Sequence, residues 1–134
     1  GLENLLKCWV ILDNHDTPRL KHVLKDAWKR RVAQALQFTC PGSPCLYYGV
    51  ELGMEGGDDP ENRGPMRWDL LAGGENADLT WTRRLLDMRR NAPALRAGDL
   101  RVLPSRRLLA FQRTTDRAED YRLVVVNTEE STVS

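Results

Sequence analysis

An imidazole and a carboxylate, His15 and Asp16, stand directly behind an apolar run in the string Val10-Ile11-Leu12-Asp13-Asn14-His15-Asp16-Thr17-Pro18-Arg19. Such a run, stopping on polar groups, reads as a buried strand that delivers hydrogen-bonding and acid–base side chains to a sheet edge. A second block follows about thirty residues on, Pro41-Gly42-Ser43-Pro44-Cys45-Leu46-Tyr47-Tyr48-Gly49-Val50-Glu51-Leu52-Gly53-Met54. Taken singly, Asp16 reads as well as a turn or N-cap residue, and His15 as a hydrogen-bonded loop histidine. The whole string, with the second block at its distance, reads instead as a site.

The elements that would position these groups can be read from periodicity. Trp9-Val10-Ile11-Leu12 is continuously apolar, as expected of a strand covered on both faces of a parallel sheet. A helix is expected after Asp26, a candidate N-cap. Trp28, Val32, Ala35, Leu36 and Thr39 recur at helical spacing, and Pro41-Gly42 ends the segment. Cys45-Leu46-Tyr47-Tyr48 is expected as the second strand, completing a βαβ unit. Between Gly49 and Ala77 turn formers are so dense that a long, ordered loop is expected. A second helix is expected over Asp78–Asn91, capped by Asp78 and stopped by Pro93. Strands are expected at Leu100–Leu103, Leu108–Arg113 and Tyr121–Val126, the last two joined by a turn at Thr115–Asp120. Glu129–Ser134 reads as a polar, fraying end.

In parallel α/β barrels the strand C-termini and the loops after them build the active site. Both polar features, Asn14-His15-Asp16 and the Gly49–Ala77 loop, lie at such positions. Composition excludes several other classes. The chain has 134 residues, 41% hydrophobic and 29% charged, which suits a globular domain with a real core. A formal net charge of +1 supplies no field to attract nucleic acid or an acidic membrane. The pairs Arg83-Arg84, Arg89-Arg90 and Arg106-Arg107 read as solvated faces, since aromatics are not interleaved with them. No apolar stretch is long enough to span a membrane, and no signal pattern opens the chain. Cys8, Cys40 and Cys45 match no zinc spacing; they read as free thiols, with Cys8 and Cys45 buried beside the strands. Free thiols favour a reducing, cytoplasmic compartment. No cofactor is implied.

The Asn-His-Asp and Tyr-Tyr-Gly blocks, in this order and spacing, resemble the C-terminal part of the catalytic barrel of glycoside hydrolase family 13, the α-amylase family. The stretch Leu86-Asp87-Met88-Arg89-Arg90-Asn91-Ala92-Pro93-Ala94-Leu95-Arg96 resembles that family's last barrel helix. The likeness runs from about Leu5 to Val126. It implies the last two βα units of a (β/α)8 barrel over residues 1–97, strands seven and eight with their helices. Residues 98–134 would then begin an antiparallel C-terminal β domain. By the same likeness Asp16 is the transition-state-stabilising carboxylate, and His15 contacts the sugar beside it. The Asp58-Asp59-Pro60-Glu61-Asn62-Arg63 loop resembles that of neopullulanase-like and cyclomaltodextrinase-like members, in which the residues matching Asp59 and Arg63 hold a sugar end. A salt bridge that merely pins the loop is the competing reading of that pair. Trp68 reads as a sugar platform or as a loop anchor, and Glu51 as a structural partner rather than an acid catalyst. Where Val50 stands the family usually has aspartate.

The substrate implied is an α-glucan or malto-oligosaccharide. A retaining glycosidase needs a nucleophile and a proton donor about 5–5.5 Å apart. In this family they follow the fourth and fifth strands, and no residue here corresponds to them. The isolated chain is therefore expected to be inactive. Two strands of a barrel would also leave edges and apolar faces open, to be covered by the missing N-terminal barrel portion or by a second copy. Two other readings stand beside this one: a naturally short, non-catalytic sugar-binding or assembly protein, and a generic α+β interaction domain.

Overall fold

A computed structural model describes residues 1–130; residues 131–134 of the expected fraying end lie outside it. The chain opens with a short helix, α1 (Leu2–Leu6), and a strand, β1 (Trp9–Ile11). Two helices follow, α2 (Leu20–Val23) and α3 (Ala27–Thr39), before strand β2 (Ser43–Cys45). Strands β1 and β2 pair in parallel, with Trp9 opposite Ser43, Val10 opposite Pro44 and Ile11 opposite Cys45. This is the expected βαβ unit, with its second strand set earlier than expected. Pairing with a three-residue partner ends at Cys45, and Val50 N–H bonding back to the Tyr47 carbonyl already begins a turn. Residues 46–76 carry three single 3-10 turns, Val50–Leu52, Glu61–Arg63 and Trp68–Leu71.

Helix α3 ends where Pro41-Gly42 predicts, but its buried face differs from the expected one. Arg30, Gln34, Gln37 and Phe38 are buried beside the expected Thr39, while Trp28, Val32, Ala35 and Leu36 are only partly buried. The polar residues are tolerated there because backbone carbonyls meet them. Gln37 Nε2 donates to the carbonyls of Val10 and Cys45, at 2.9 and 3.0 Å, tying the helix to both strands at once. Arg30 donates to the carbonyls of Leu24 and Lys25. Asp26 occupies the N-cap position without capping; its carboxylate pairs with Lys29 Nζ instead.

After the long loop come α4 (Ala77–Arg90) and α5 (Pro93–Ala97). The cap of α4 is Asn76, whose side chain accepts from Leu79 N–H at 2.9 Å, rather than Asp78. Asp78 instead lies 4.0 Å from Arg30. Pro93 does stop α4, and then serves as the first residue of α5, where its missing N–H costs nothing. Strands β3 (Asp99–Leu103), β4 (Leu109–Thr114) and β5 (Tyr121–Val126) form an antiparallel meander in the order β3-β4-β5.

One part of the core, Leu20, Val50, Leu52 and Met54, lies at α2 and the loop after β2; the other lies at the junction of this meander with α4 and α5. Leu85, Ala92, Ala94, Leu95, Phe111 and Val126 are buried there, and Phe38 reaches in from α3. Arg113, with no exposed surface, crosses the junction. Its guanidinium donates to the carbonyls of Thr39 at 2.6 Å, Gly98 at 2.9 Å and Asp99 at 3.2 Å. Burial lowers its pKa, yet three carbonyl acceptors satisfy the charge. Asp120 closes the other side, accepting from Ala94 N–H at 3.1 Å and from the Thr115 hydroxyl at 3.0 Å.

The strand pair itself is not enclosed. Trp9 is 72% exposed, and Ile11 and Leu12 are also open. Helix α3 covers one side of the pair, and no described element covers the other. Cys8 is exposed and Cys45 only half-buried, so the expected buried thiols are not found; all three cysteines are free. No helix among the described residues is long and apolar enough to cross a membrane.

Candidate functional site

The loop after β1 begins with a buried anchor. Asp13 is 4% exposed, and its carboxylate accepts from Leu20 N–H at 2.8 Å, turning the chain into α2. Burial pushes its pKa above the ordinary value, against the pull of that bond and of the Arg19 charge. Asn14 then folds the next turn on itself. Its side-chain oxygen accepts from Asp16 N–H at 2.8 Å, and its backbone N–H donates to the Thr17 hydroxyl at 3.1 Å. An Asx turn of this kind lifts His15 and Asp16 to the surface.

The second loop comes up beside them. Asn62, 1% exposed, donates from one amide nitrogen to the carbonyls of His15 and Thr17, at 2.8 and 3.0 Å. Arg63 Nε donates to the same His15 carbonyl at 2.9 Å. A terminal nitrogen of Arg63 lies 3.3 Å from the Asp16 carboxylate and 3.4 Å from that of Asp59. His15 Nε2 lies 3.1 Å from the other Asp16 oxygen. The four residues singled out in the sequence therefore form one exposed patch, with Arg63 bridging both carboxylates.

Beneath the patch Arg19 is 1% exposed and packs against two aromatic rings that meet edge to face, 4.7 Å from the Tyr47 centroid and 4.5 Å from that of Tyr48. A desolvated cation–π contact of this kind contributes on the order of 2 kcal/mol. One guanidinium nitrogen donates to the Tyr48 carbonyl at 2.6 Å, while Nε and the other terminal nitrogen are buried without a partner among the described residues. The tyrosine hydroxyls donate outward, Tyr47 to the Asn62 carbonyl and Tyr48 to that of Gly64. Arg19 N–H bonds to the Gly56 carbonyl at 2.9 Å. A β-carbon on Gly56 would stand 2.6 Å from the Glu61 carbonyl oxygen, so glycine is required for the loop to fold this closely.

Sequence reasoning missed Arg19 and Asn62. Nothing in a lone asparagine between Glu61 and Arg63 marks it as a buried latch. Val50 is buried, 7% exposed, at the position where the family carries a carboxylate. Trp68 is 68% exposed. No cluster of metal-binding side chains occurs among the described residues.

A parallel strand pair with polar loops at its C-terminal end thus gathers two carboxylates, a histidine and an arginine on one exposed rim. The family described as "Alpha amylase, catalytic domain" matches residues 3–97, and the chain belongs to this α-amylase family. Within it, the chain stands with the cyclomaltodextrinase and neopullulanase group. It is 43% identical over 95 residues to a cyclomaltodextrinase of Geobacillus thermopakistaniensis, covering 69% of this chain and 16% of the relative. Against Neopullulanase 2 of Thermoactinomyces vulgaris it is 36% identical over 111 residues, covering 79% and 19%. The maltogenic amylase structure from S. marinus superposes with a TM-score of 0.79 at 31% identity, over 87% of this chain and 17% of that one. The chain thus spans about one fifth of the length of such relatives.

Proposed function

We propose that this chain is the C-terminal portion of an α-glucan-active glycosidase. Residues 1–97 would supply the seventh and eighth βα units of a (β/α)8 barrel, and the residues from 98 on would begin its C-terminal β domain. In this reading Asp16 hydrogen-bonds sugar hydroxyls and stabilises the positive charge that develops at the anomeric carbon. His15 contacts the same sugar, and Asp59 and Arg63 help hold the non-reducing sugar end. The observation that carries the reading is the convergence of His15, Asp16, Asp59 and Arg63, from loops more than forty residues apart, on one exposed patch.

The nucleophile and the general acid would come from the rest of the domain, so the chain alone releases no sugar. Its macromolecular partner is that remaining barrel portion. A similar protein is named intracellular maltogenic amylase, which supports a cytoplasmic setting. The test is a chimera in which residues 3–97 replace the matching segment of the Geobacillus thermopakistaniensis cyclomaltodextrinase. Hydrolysis of cyclomaltodextrin and maltotetraose is expected, with Asp16→Asn lowering kcat by roughly 100-fold or more. A folded chimera without activity, or an Asp16→Asn chimera with full activity, would refute the assignment.

A further inference from the structure

Among the buried side chains near the rim, Arg19 is the one its surroundings serve worst. It is 1% exposed, yet only one of its guanidinium nitrogens meets an acceptor, the Tyr48 carbonyl at 2.6 Å. Nε and the other terminal nitrogen are buried without a partner, and no carboxylate among the described residues forms an ion pair with the charge. The buried Asp13 carboxylate is turned to Leu20 N–H instead. A desolvated cation met so incompletely costs stability, and an apolar side chain of similar length would fill the space at less cost. A group of this kind calls for a role other than stability.

What Arg19 does hold is a pair of rings. Tyr47 and Tyr48 meet at 65° with centroids 4.6 Å apart, and the guanidinium lies within 4.7 Å of both. Their hydroxyls reach the two carbonyls that flank residue 63, Tyr47 to Asn62 at 3.3 Å and Tyr48 to Gly64 at 2.6 Å. Arg63 hangs between these two pins. From there its Nε reaches the His15 carbonyl at 2.9 Å and a terminal nitrogen the Asp16 carboxylate at 3.3 Å. A small rotation about a tyrosine Cα–Cβ bond is magnified at the phenol oxygen, so rings left loose would let this backbone drift. We propose that Arg19 is a positioning residue: it holds both tyrosine rings so that their hydroxyls fix the backbone on either side of Arg63 and aim its guanidinium at Asp16. The effect on turnover rests on the role of Asp16 proposed above; the positioning itself does not.

Exchange of the Arg63 Nε–H proton, followed by NMR in the intact chain, reads the bond to His15 directly. Arg19→Met keeps an apolar side chain against the rings and is expected to speed that exchange at least ~10-fold. Arg30→Met removes another buried arginine, one that donates only to the Leu24 and Lys25 carbonyls, and should leave Arg63 unchanged. Tyr47→Phe combined with Tyr48→Phe keeps both rings and Arg19, so it judges the proposal even if Arg19→Met fails to fold. It should release Arg63 to the same degree, and Arg19→Met on that background should add nothing. Slow exchange retained in Arg19→Met or in the double phenylalanine variant overturns the proposal. An equal loss in Arg30→Met does so too, since it would mean general loosening. In the cyclomaltodextrinase chimera Arg19→Met is expected to lower kcat roughly 10-fold, and an unchanged kcat counts against the proposal as well. A parent chimera without activity bears on Asp16 alone, because the exchange measurement needs no sugar.

Discussion

The rim and the strands beneath it are finished to different degrees. At the rim, Asn62 and Arg63 hydrogen-bond one loop to the other, Asn14 and the two tyrosines brace each loop internally, and every one of these contacts is made within residues 13–64. Below it, β1 and β2 are held by three paired residues and by Gln37, and one side of Trp9 and Ile11 faces water. Parallel strands are normally buried on both faces, so this is half of an enclosure. The site geometry is local, and the enclosure is not. The antiparallel meander stands between the two cases: Phe111 and Arg113 are buried against the helices, while Tyr121, Leu123 and Val125 look outward.

Substitutions can break or sharpen this contrast. The largest effect is expected from Arg113→Ala, which takes the guanidinium from the buried Thr39 and Gly98 carbonyls and from that of Asp99, and should cost about 3 kcal/mol or more in urea unfolding. If the rim is self-sufficient, amide exchange at Asp16 and Thr17 should change little in that variant. Asn62→Ala is the converse experiment. It should cost about 2 kcal/mol and speed exchange at exactly those two amides while sparing the meander. A collapse of the meander in Asn62→Ala would show that the rim is not local.

Asp13 gives a pH handle. Its folded pKa is raised above 3.8, so the protonated form favours folding. Stability from this group is full below pH 3.8 and is lost as pH rises through the raised value. Asp13→Asn keeps an acceptor for Leu20 N–H and should flatten the stability profile over that window, read from unfolding midpoints. Arg63→Gln breaks ion pairs that are half-exposed, so less than about 1 kcal/mol of stability is at stake. Trp9→Ser should be smallest, within about 0.5 kcal/mol, because the side chain already lies in water. A large loss there would mean that Trp9 is covered in solution.

These contrasts also explain what was legible in the residues. Pro41-Gly42 marks the end of α3, and Pro93 that of α4, because backbone chemistry is local. The grouping of His15, Asp16, Asp59 and Arg63 was legible only through family resemblance, since no spacing rule joins residues more than forty positions apart. The buried face of α3 was partly misread for a physical reason: Val32 and Leu36 are only partly covered, while Arg30 and Gln37 are buried on carbonyls that periodicity cannot see. Asn76 took the cap from Asp78, and Asn62 left no signal, because an amide's partners are chosen by the tertiary fold.

One side-chain amide has a mechanical consequence. Because Gln37 grips both strands from the crossover helix, β1, α3 and β2 move as a single brick rather than as three separable pieces. Such a brick can be lifted between related enzymes without re-registering its strands, and Gln37→Leu is the change that would let it come apart in transit.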